Sequence, residues 1–412
     1  MPRIIKILFY SLFIILPWKA ALPGIFGDIT GQYIDKIIVL SLFILTINNW
    51  RFYIIKIKIP LILLLTFYSF ILIRIIITYD YQSVNTQFSE YLIPILMVLV
   101  AIGAMKSKED LNTFLKFFVL YSGLIAFLCI LELFNEPYRT WANEIAVRQI
   151  ETTSLDDIEM RFRSRFFFSS PMGYGMHNVI ALMFAVKLFK VDKIQMHFFY
   201  VIATILTILG LIGSLSRGPW MALILSVFIY FSLTFKENFK FISKLGLYSI
   251  LLLSLLLITV PEISDLLSER FSSILDWNSN NSNVERIQRW NNALNIFQKN
   301  IWTGIGISAT GATGVGFAQS IITENYYLKI GIEGGLILLT LFILLHASIL
   351  LSLIRWKNRF KENALYFSFF ISFLVYMFIF QILDSRIIAY EYWAIIGFSL
   401  NNSIKTKISN EL

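Results

Sequence analysis

The chain of 412 residues has a single cysteine, Cys129, so an intrachain disulfide is excluded. Its three histidines, His177, His197 and His346, are scattered, and no Cys/His spacing suited to a metal site occurs. Only 15% of the residues are charged, where a soluble protein carries about 25%. Internal repeats and low-complexity tails are also missing. What fills the chain is hydrocarbon. It is 57% hydrophobic, arranged in repeated apolar runs of about 18 residues or more, the length that crosses a bilayer as a helix. The sequence therefore reads as an all-α polytopic integral membrane protein, one transmembrane domain over residues 1–412.

Helices are expected near residues 4–22, 31–48, 59–79, 88–105, 111–134, 169–189, 195–214, 218–235, 241–260, 323–352, 363–383 and 386–402, which makes about twelve transmembrane helices. The first run follows Arg3 and Lys6 in the manner of a signal peptide. It contains Pro17 and Trp18 and lacks a small-residue cleavage site, so a retained first helix is expected. Alternate short loops carry lysine and arginine: Arg51, Lys56 and Lys58; Lys106 and Lys108; Lys187, Lys190 and Lys193; Lys236, Lys240 and Lys244; Arg355, Lys357, Arg359 and Lys361. The tail adds Lys405 and Lys407. The positive-inside rule then puts both termini in the cytoplasm.

Two outward loops are long, 135–169 and 261–323. A loop of that length in a compact protein is more often functional than incidental. The outward cations are nearly all arginine: Arg139, Arg148, Arg161, Arg163, Arg165, Arg217, Arg270, Arg286, Arg289 and Arg386. Lysine suffices for topology, whereas the planar guanidinium fork suits phosphate and carboxylate. The net charge of +9 thus divides into topology inside and anion binding outside, and no nucleic-acid partner is expected. Arg139 and Arg148 are read as partners of nearby acids such as Glu136 and Glu151.

The stretch 283–336 concentrates what the rest lacks. Arg286 and Arg289, spaced i, i+3, share a helix face ahead of Trp290. A glycine-rich run follows from Gly304 to Gly316, then Glu324, Asn325 and Tyr326 at the start of the next apolar run. Glycine permits positive φ and close backbone approach. Glu324 reads as a general base or acceptor-orienting carboxylate, or as a helix cap. Glu333 reads as a structural partner of Lys329, one turn away.

Elsewhere, Ser214-Leu-Ser-Arg217-Gly-Pro-Trp220 leaves no room for a loop, so Arg217 lies at or near membrane depth. Such arginines face a cavity and mark a substrate path, or snorkel to the interface. Arg161, Arg163 and Arg165 sit just above a Pro171/Gly175-broken helix start, as an anion-binding cluster or an interfacial anchor. Asp384 and Arg386 read as a local ion pair on a short outer loop, and Arg74 as a snorkelling residue.

In order and spacing these pieces resemble the O-antigen ligase and Wzy-type polysaccharide polymerase superfamily. The matches are Ser216-Arg217-Gly218, then Arg286 with Trp290 and Ala293, then Gly304 and Gly306, then Asn325, Tyr327 and Leu328 with Glu333 and Gly335. The Arg165, Pro171 and Gly175 segment also looks like the family. The resemblance covers residues 160–340. It implies a metal-independent, cofactor-free glycosyltransferase on the outer face of the bacterial plasma (inner) membrane. The implied donor is a glycan on undecaprenyl pyrophosphate. The ligases carry histidine immediately before the asparagine of the last motif, and this chain carries Glu324, which favours a polymerase over a ligase.

On this reading Glu324 is the base, Arg217 and Arg286 hold the pyrophosphate, and Arg161, Arg163, Arg165, Arg289, Asn325 and Tyr326 contact substrate. Lipid bilayer and a chain-length regulator are the further partners expected. A transporter of lipid-linked sugars is disfavoured, because charge gathers at one face rather than at the midplane of several helices.

Overall fold

The computed structural model describes residues 3–19, 21–26, 28–49, 58–78, 86–145, 168, 170–190, 198–234, 281–310, 322–354 and 360–411. Most of these residues are helical, with no extended strand among them. In chain order the helices are α1 (Arg3–Ile15), α2 (Leu22–Phe26), α3 (Asp28–Thr46), α4 (Lys58–Ile77), α5 (Phe88–Ala104), α6 (Lys108–Phe134) and α7 (Glu136–Ile145). They continue with α8 (Pro171–Lys190), α9 (Phe198–Gly213), α10 (Arg217–Thr234), α11 (Asn281–Lys299), α12 (Tyr326–Ile354), α13 (Phe360–Met377) and α14 (Arg386–Glu411). Five of the described helices, α4, α6, α8, α10 and α12, are long and apolar enough to cross a membrane, and α5, α9 and α13 are shorter apolar helices. The helix expected at 241–260 lies outside the described residues.

Local sequence explains most boundaries. Ser107 opens α6 with a capping box: its hydroxyl accepts from Asp110 N at 3.0 Å, and its own N–H donates to Asp110 Oδ2 at 3.2 Å. The first expected helix is interrupted, because Pro17 lies in a 3₁₀ turn, Leu16–Trp18, that ends α1. Proline has no N–H for the helical ladder and clashes with the preceding turn. The first outer loop holds an unexpected helix, α7. It is short and amphipathic, and Asn135 Oδ1 caps it by accepting from Tyr138 N at 2.9 Å.

The bundle is layered by burial. From Ile93 to Ala104 every residue of α5 except Leu99 is buried, and α14 is buried from Ile387 to Leu400. These two helices pack on each other at the centre, with α3 against α5. A second group, α6, α8 and α9, packs together beside them. Around the rim, α4 buries Leu61, Leu64, Phe67, Ile71 and Ile75 and packs on α12. It exposes Ile62, Leu65, Ile73 and Ile76. A helix apolar on both its packed and its exposed sides fits a lipid solvent.

Candidate functional site

The site is built around a break in α12. At Gly335 the backbone leaves helical geometry, with φ 70° and ψ −169°. The glycine run fills the gap. Ile305 N donates to Ile332 O at 2.8 Å, Gly306 N to Glu333 O at 3.1 Å, and Leu336 N to Ile301 O at 2.6 Å. Backbone groups inside a membrane bundle must find such partners. A Cβ on Gly335 would collide with the Trp302 carbonyl, so only glycine fits both the positive φ and the contact. Two side chains hold the run from the far side. Arg74 Nη2 donates to Gly304 O at 3.3 Å, and Gln87 Nε2 to Ile307 O at 3.0 Å. Arg74 thus points onto the loop, which its snorkelling reading did not anticipate.

Beneath the loop lies a buried charge cluster centred on Lys329, whose side chain is 1% exposed. Its ammonium meets Glu333 Oε1 at 3.1 Å, Asp384 Oδ1 at 3.2 Å and Glu90 Oε2 at 3.4 Å, and donates to Thr310 O at 3.1 Å. Glu333 in turn accepts from the Tyr91 hydroxyl and from Thr310 N at 3.2 Å and Thr310 Oγ1 at 2.6 Å. Ser308 Oγ donates to Glu90 Oε2 at 3.2 Å. Glu90 and Tyr91 are adjacent, yet both reach the cluster, and they lie in a π-helical turn, Phe88–Leu92, at the start of α5. The expected Lys329–Glu333 pair is present. Asp384 pairs with Lys329, where the sequence suggested Arg386. Asp384 keeps 27% of its side-chain exposure. Burial is the main cause that pushes its carboxyl up to about 7, opposed by Lys329 and reinforced by Glu90 and Glu333.

Above the cluster, Glu324 bridges two arginines of α11. Its Oε2 accepts from Arg286 Nε at 2.8 Å, and its Oε1 accepts from Arg289 Nη1. Arg289 also meets Glu285 at 3.4 Å. Glu324 holds φ +46°, a left-handed conformation that a non-glycine residue adopts at some strain. The following residue, Asn325, caps α12: its Oδ1 accepts from Leu328 N at 3.0 Å. That frees Glu324 from the capping role. Tyr326 is buried against the Phe342 ring, with centroids 5.7 Å apart.

Close backbone approaches draw the other motifs in. Arg286 stacks its guanidinium on the Phe380 ring, 4.8 Å from the centroid. The same ring lies against Gly218, where a Cβ would sit 2.6 Å from Phe380 Cε2 and 2.6 Å from the Tyr376 hydroxyl oxygen. A Cβ at Gly175 would sit 2.7 Å from Pro219 Cγ, and one at Gly173 2.9 Å from Ser385 Oγ. The first turn of α8 therefore meets that of α10 and Ser385 just ahead of α14, while α10 shares the Phe380 ring with Arg286. Helix N-termini carry partial positive charge, so such a convergence favours an anion. Arg217 is the first residue of α10, behind a knotted turn in which Ser214 Oγ donates to Leu211 O at 2.7 Å and Trp220 Nε1 to the same carbonyl at 2.9 Å.

The structure thus brings Arg217, Arg286, Arg289, Glu324, Asn325 and Tyr326 to one end of the bundle. Arg161, Arg163 and Arg165 lie outside the described residues. Sequence reasoning missed Glu90, Gln87 and Tyr376. The carboxylate of Glu90 at the head of an apolar run was the available signal, since an intramembrane ionisable residue is a functional candidate by default.

Residues 202–343 match the family model described as O-antigen ligase, which supports an O-antigen ligase-like superfamily assignment. The matched segment runs from α9 into α12 and contains Arg217, Arg286, Glu324 and Lys329. No curated protein matches the chain.

Proposed function

With an O-antigen ligase-like membrane protein as the premise, we propose that this chain is a polysaccharide polymerase. It transfers a growing glycan from undecaprenyl pyrophosphate onto a lipid-linked repeat unit. The observation that carries the reading is the carboxylate of Glu324 held between Arg286 and Arg289, beside Phe380 and the first turn of α10. Polyprenyl diphosphate is a dianion or more, and guanidinium groups and helix N-termini are its natural partners.

In the proposed reaction the acceptor hydroxyl oxygen attacks the anomeric carbon of the donor. The bond from that carbon to the phosphate oxygen breaks, and undecaprenyl pyrophosphate leaves with the electron pair. The hydroxyl proton goes to Glu324. Arg217 and Arg286 hold the diphosphate, with Arg161, Arg163, Arg165 and Arg289 as further contacts. A diphosphate arriving at Arg286 competes with Glu324 for the guanidinium. The carboxylate it displaces becomes available to the hydroxyl, so donor binding and base exposure are coupled. Asn325 and Tyr326 serve by fixing the start of α12. The scheme needs no metal and no nucleotide sugar.

The lysine distribution supports about twelve spans with both termini cytoplasmic and the site on the outer face of a bacterial inner membrane. A chain-length regulator is a further proposed partner. The description of the matching family favours a second reading, a ligase that moves finished glycan to lipid A-core or protein. Surface-glycan length in a deletion strain separates the two. Polymerase loss leaves single repeats attached. Ligase loss leaves full-length polymer unattached and would overturn the polymerase reading.

A further inference from the structure

The helix carrying the two arginines has three faces, each marked by residues seven apart, which fall on one line of an α-helix. Arg286 and Ala293 are buried against the protein. Glu285, Asn292 and Lys299 are exposed and polar. Ile287 and Leu294, continued by Ile301 just past the end of α11, are exposed and apolar, at 43%, 41% and 40% of their full surface. A narrow apolar line, bordered by the exposed Asn291 and Gln298, thus runs along one side of the docked face, and a polar line along the side opposite it.

The greasy side continues onto a membrane span. Leu336 N donates to Ile301 O at 2.6 Å, so the stripe ends against α12 ten residues into that helix. There it runs on into the exposed Leu336 and Ile337, then Ile343 and Leu344 further along α12. Trp302, 67% exposed, stands at the junction. Tryptophan at such a boundary is the mark of an aqueous–lipid interface.

We propose that α11 is an interfacial helix, lying in the leaflet on the site side with Ile287, Leu294 and Ile301 among the acyl chains. Lipid is the occupant because the stripe is continuous with the lipid-facing surface of α12 and parallels a polar line on the opposite side. An amphipathic helix in that position buries its apolar side about 5–10 Å into the headgroup–acyl boundary. The consequence concerns the site, and this part rests on the polymerase reading. Arg286, one residue before Ile287, is set at headgroup height. A lipid-linked diphosphate then reaches it by lateral diffusion, its isoprenoid tail remaining in the bilayer.

The test uses single-cysteine variants of the full-length protein reconstituted in liposomes. Cys129 is wholly buried and stays unlabelled. Nitroxide is attached at Ile287→Cys, Leu294→Cys and Ile301→Cys, and at Glu285→Cys, Asn292→Cys and Lys299→Cys. Relaxation by oxygen, which partitions into lipid, is compared with relaxation by a water-soluble nickel chelate. The proposal expects oxygen to dominate at the first three and nickel at the second three. Nickel dominance at all six overturns it and places α11 in water. Immobile labels at the first three that respond to neither reagent also overturn it, since protein then covers the stripe. None of these outcomes depends on turnover, so the lipid contact can fail while the polymerase reading stands, and the reverse.

Discussion

Glu324 and Arg286 are thirty-eight residues apart and meet at 2.8 Å, Oε2 to Nε, across the junction of α11 and α12. The contact closes the second outer loop on itself. It also places a carboxylate within the reach of an anion-binding group, an arrangement that a competing anion can open. The pair is partly exposed, with side-chain exposures of 10% for Arg286 and 26% for Glu324. With Glu324 partly exposed, the pair contributes about 1 kcal/mol or less to stability.

The break at Gly335 is a fixed element of the site. Gly335→Ala is expected to lower stability by more than about 2 kcal/mol, because it adds strain at positive φ and a clash with backbone. Gly331→Ala is the control: its Cβ would meet only the Phe297 ring, at 3.2 Å. Thermal unfolding of the detergent-solubilised variants checks this. Equal melting temperatures for the two would contradict the account of the break.

Lys329 sets one positive charge among three carboxyl groups from different parts of the chain. Lys329→Met leaves those charges buried without it and should cost about 3–5 kcal/mol. Adding Glu333→Gln should recover part of that loss. A double variant no more stable than the single one would show that the cluster is not held by its charge balance.

The raised carboxyl of Asp384 gives a pH signature. Unfolded, the group loses its proton near its ordinary value of 3.8; folded, near 7. The folded state therefore loses stability through this group as pH rises from about 4 to about 7, and the loss is constant above that. Asp384→Asn removes the titration. Across that window the wild-type melting temperature should fall more steeply with pH than that of Asp384→Asn. Parallel curves would refute it.

Tyr376 and Ser385 carry buried hydroxyls with no hydrogen-bond partner among the described residues, next to the first turns of α10 and α8. Buried orphans are rare unless they have another use. Tyr376→Phe and Ser385→Ala should leave the melting temperature unchanged or raised, while turnover falls about 10-fold or more if the hydroxyls donate to a charged ligand. Unchanged turnover with a lowered melting temperature would mark both as structural.

Much of this site was legible in the sequence, and the part that was not has a physical reason. Arg286, Arg289 and Glu324 could be singled out because polar side chains are conspicuous in a hydrocarbon chain. The Lys329–Glu333 pair followed from one-turn spacing. The role of Asn325 as the cap, one residue after Glu324, depended on which backbone N–H each side chain reached. Glu90 and Arg74 lie 239 and 230 residues from Lys329 and Gly304. Contacts across such separations leave no local pattern. The interruption at Pro17 was visible as a proline, yet the surrounding hydrophobicity masked it. The helix α7 escaped notice because a short amphipathic segment has the polarity of a loop.

The most direct test of the central claim is glycan synthesis by the purified protein, reconstituted with lipid-linked repeat units and compared with Glu324→Gln and Arg286→Ala. The account predicts longer lipid-linked chains and release of undecaprenyl pyrophosphate with the wild type. Each variant should be slower by about 100-fold or more, as expected for loss of a base or of a diphosphate-holding charge, at unchanged melting temperature. Wild-type chain growth that persists undiminished in Glu324→Gln would contradict the assignment of the base.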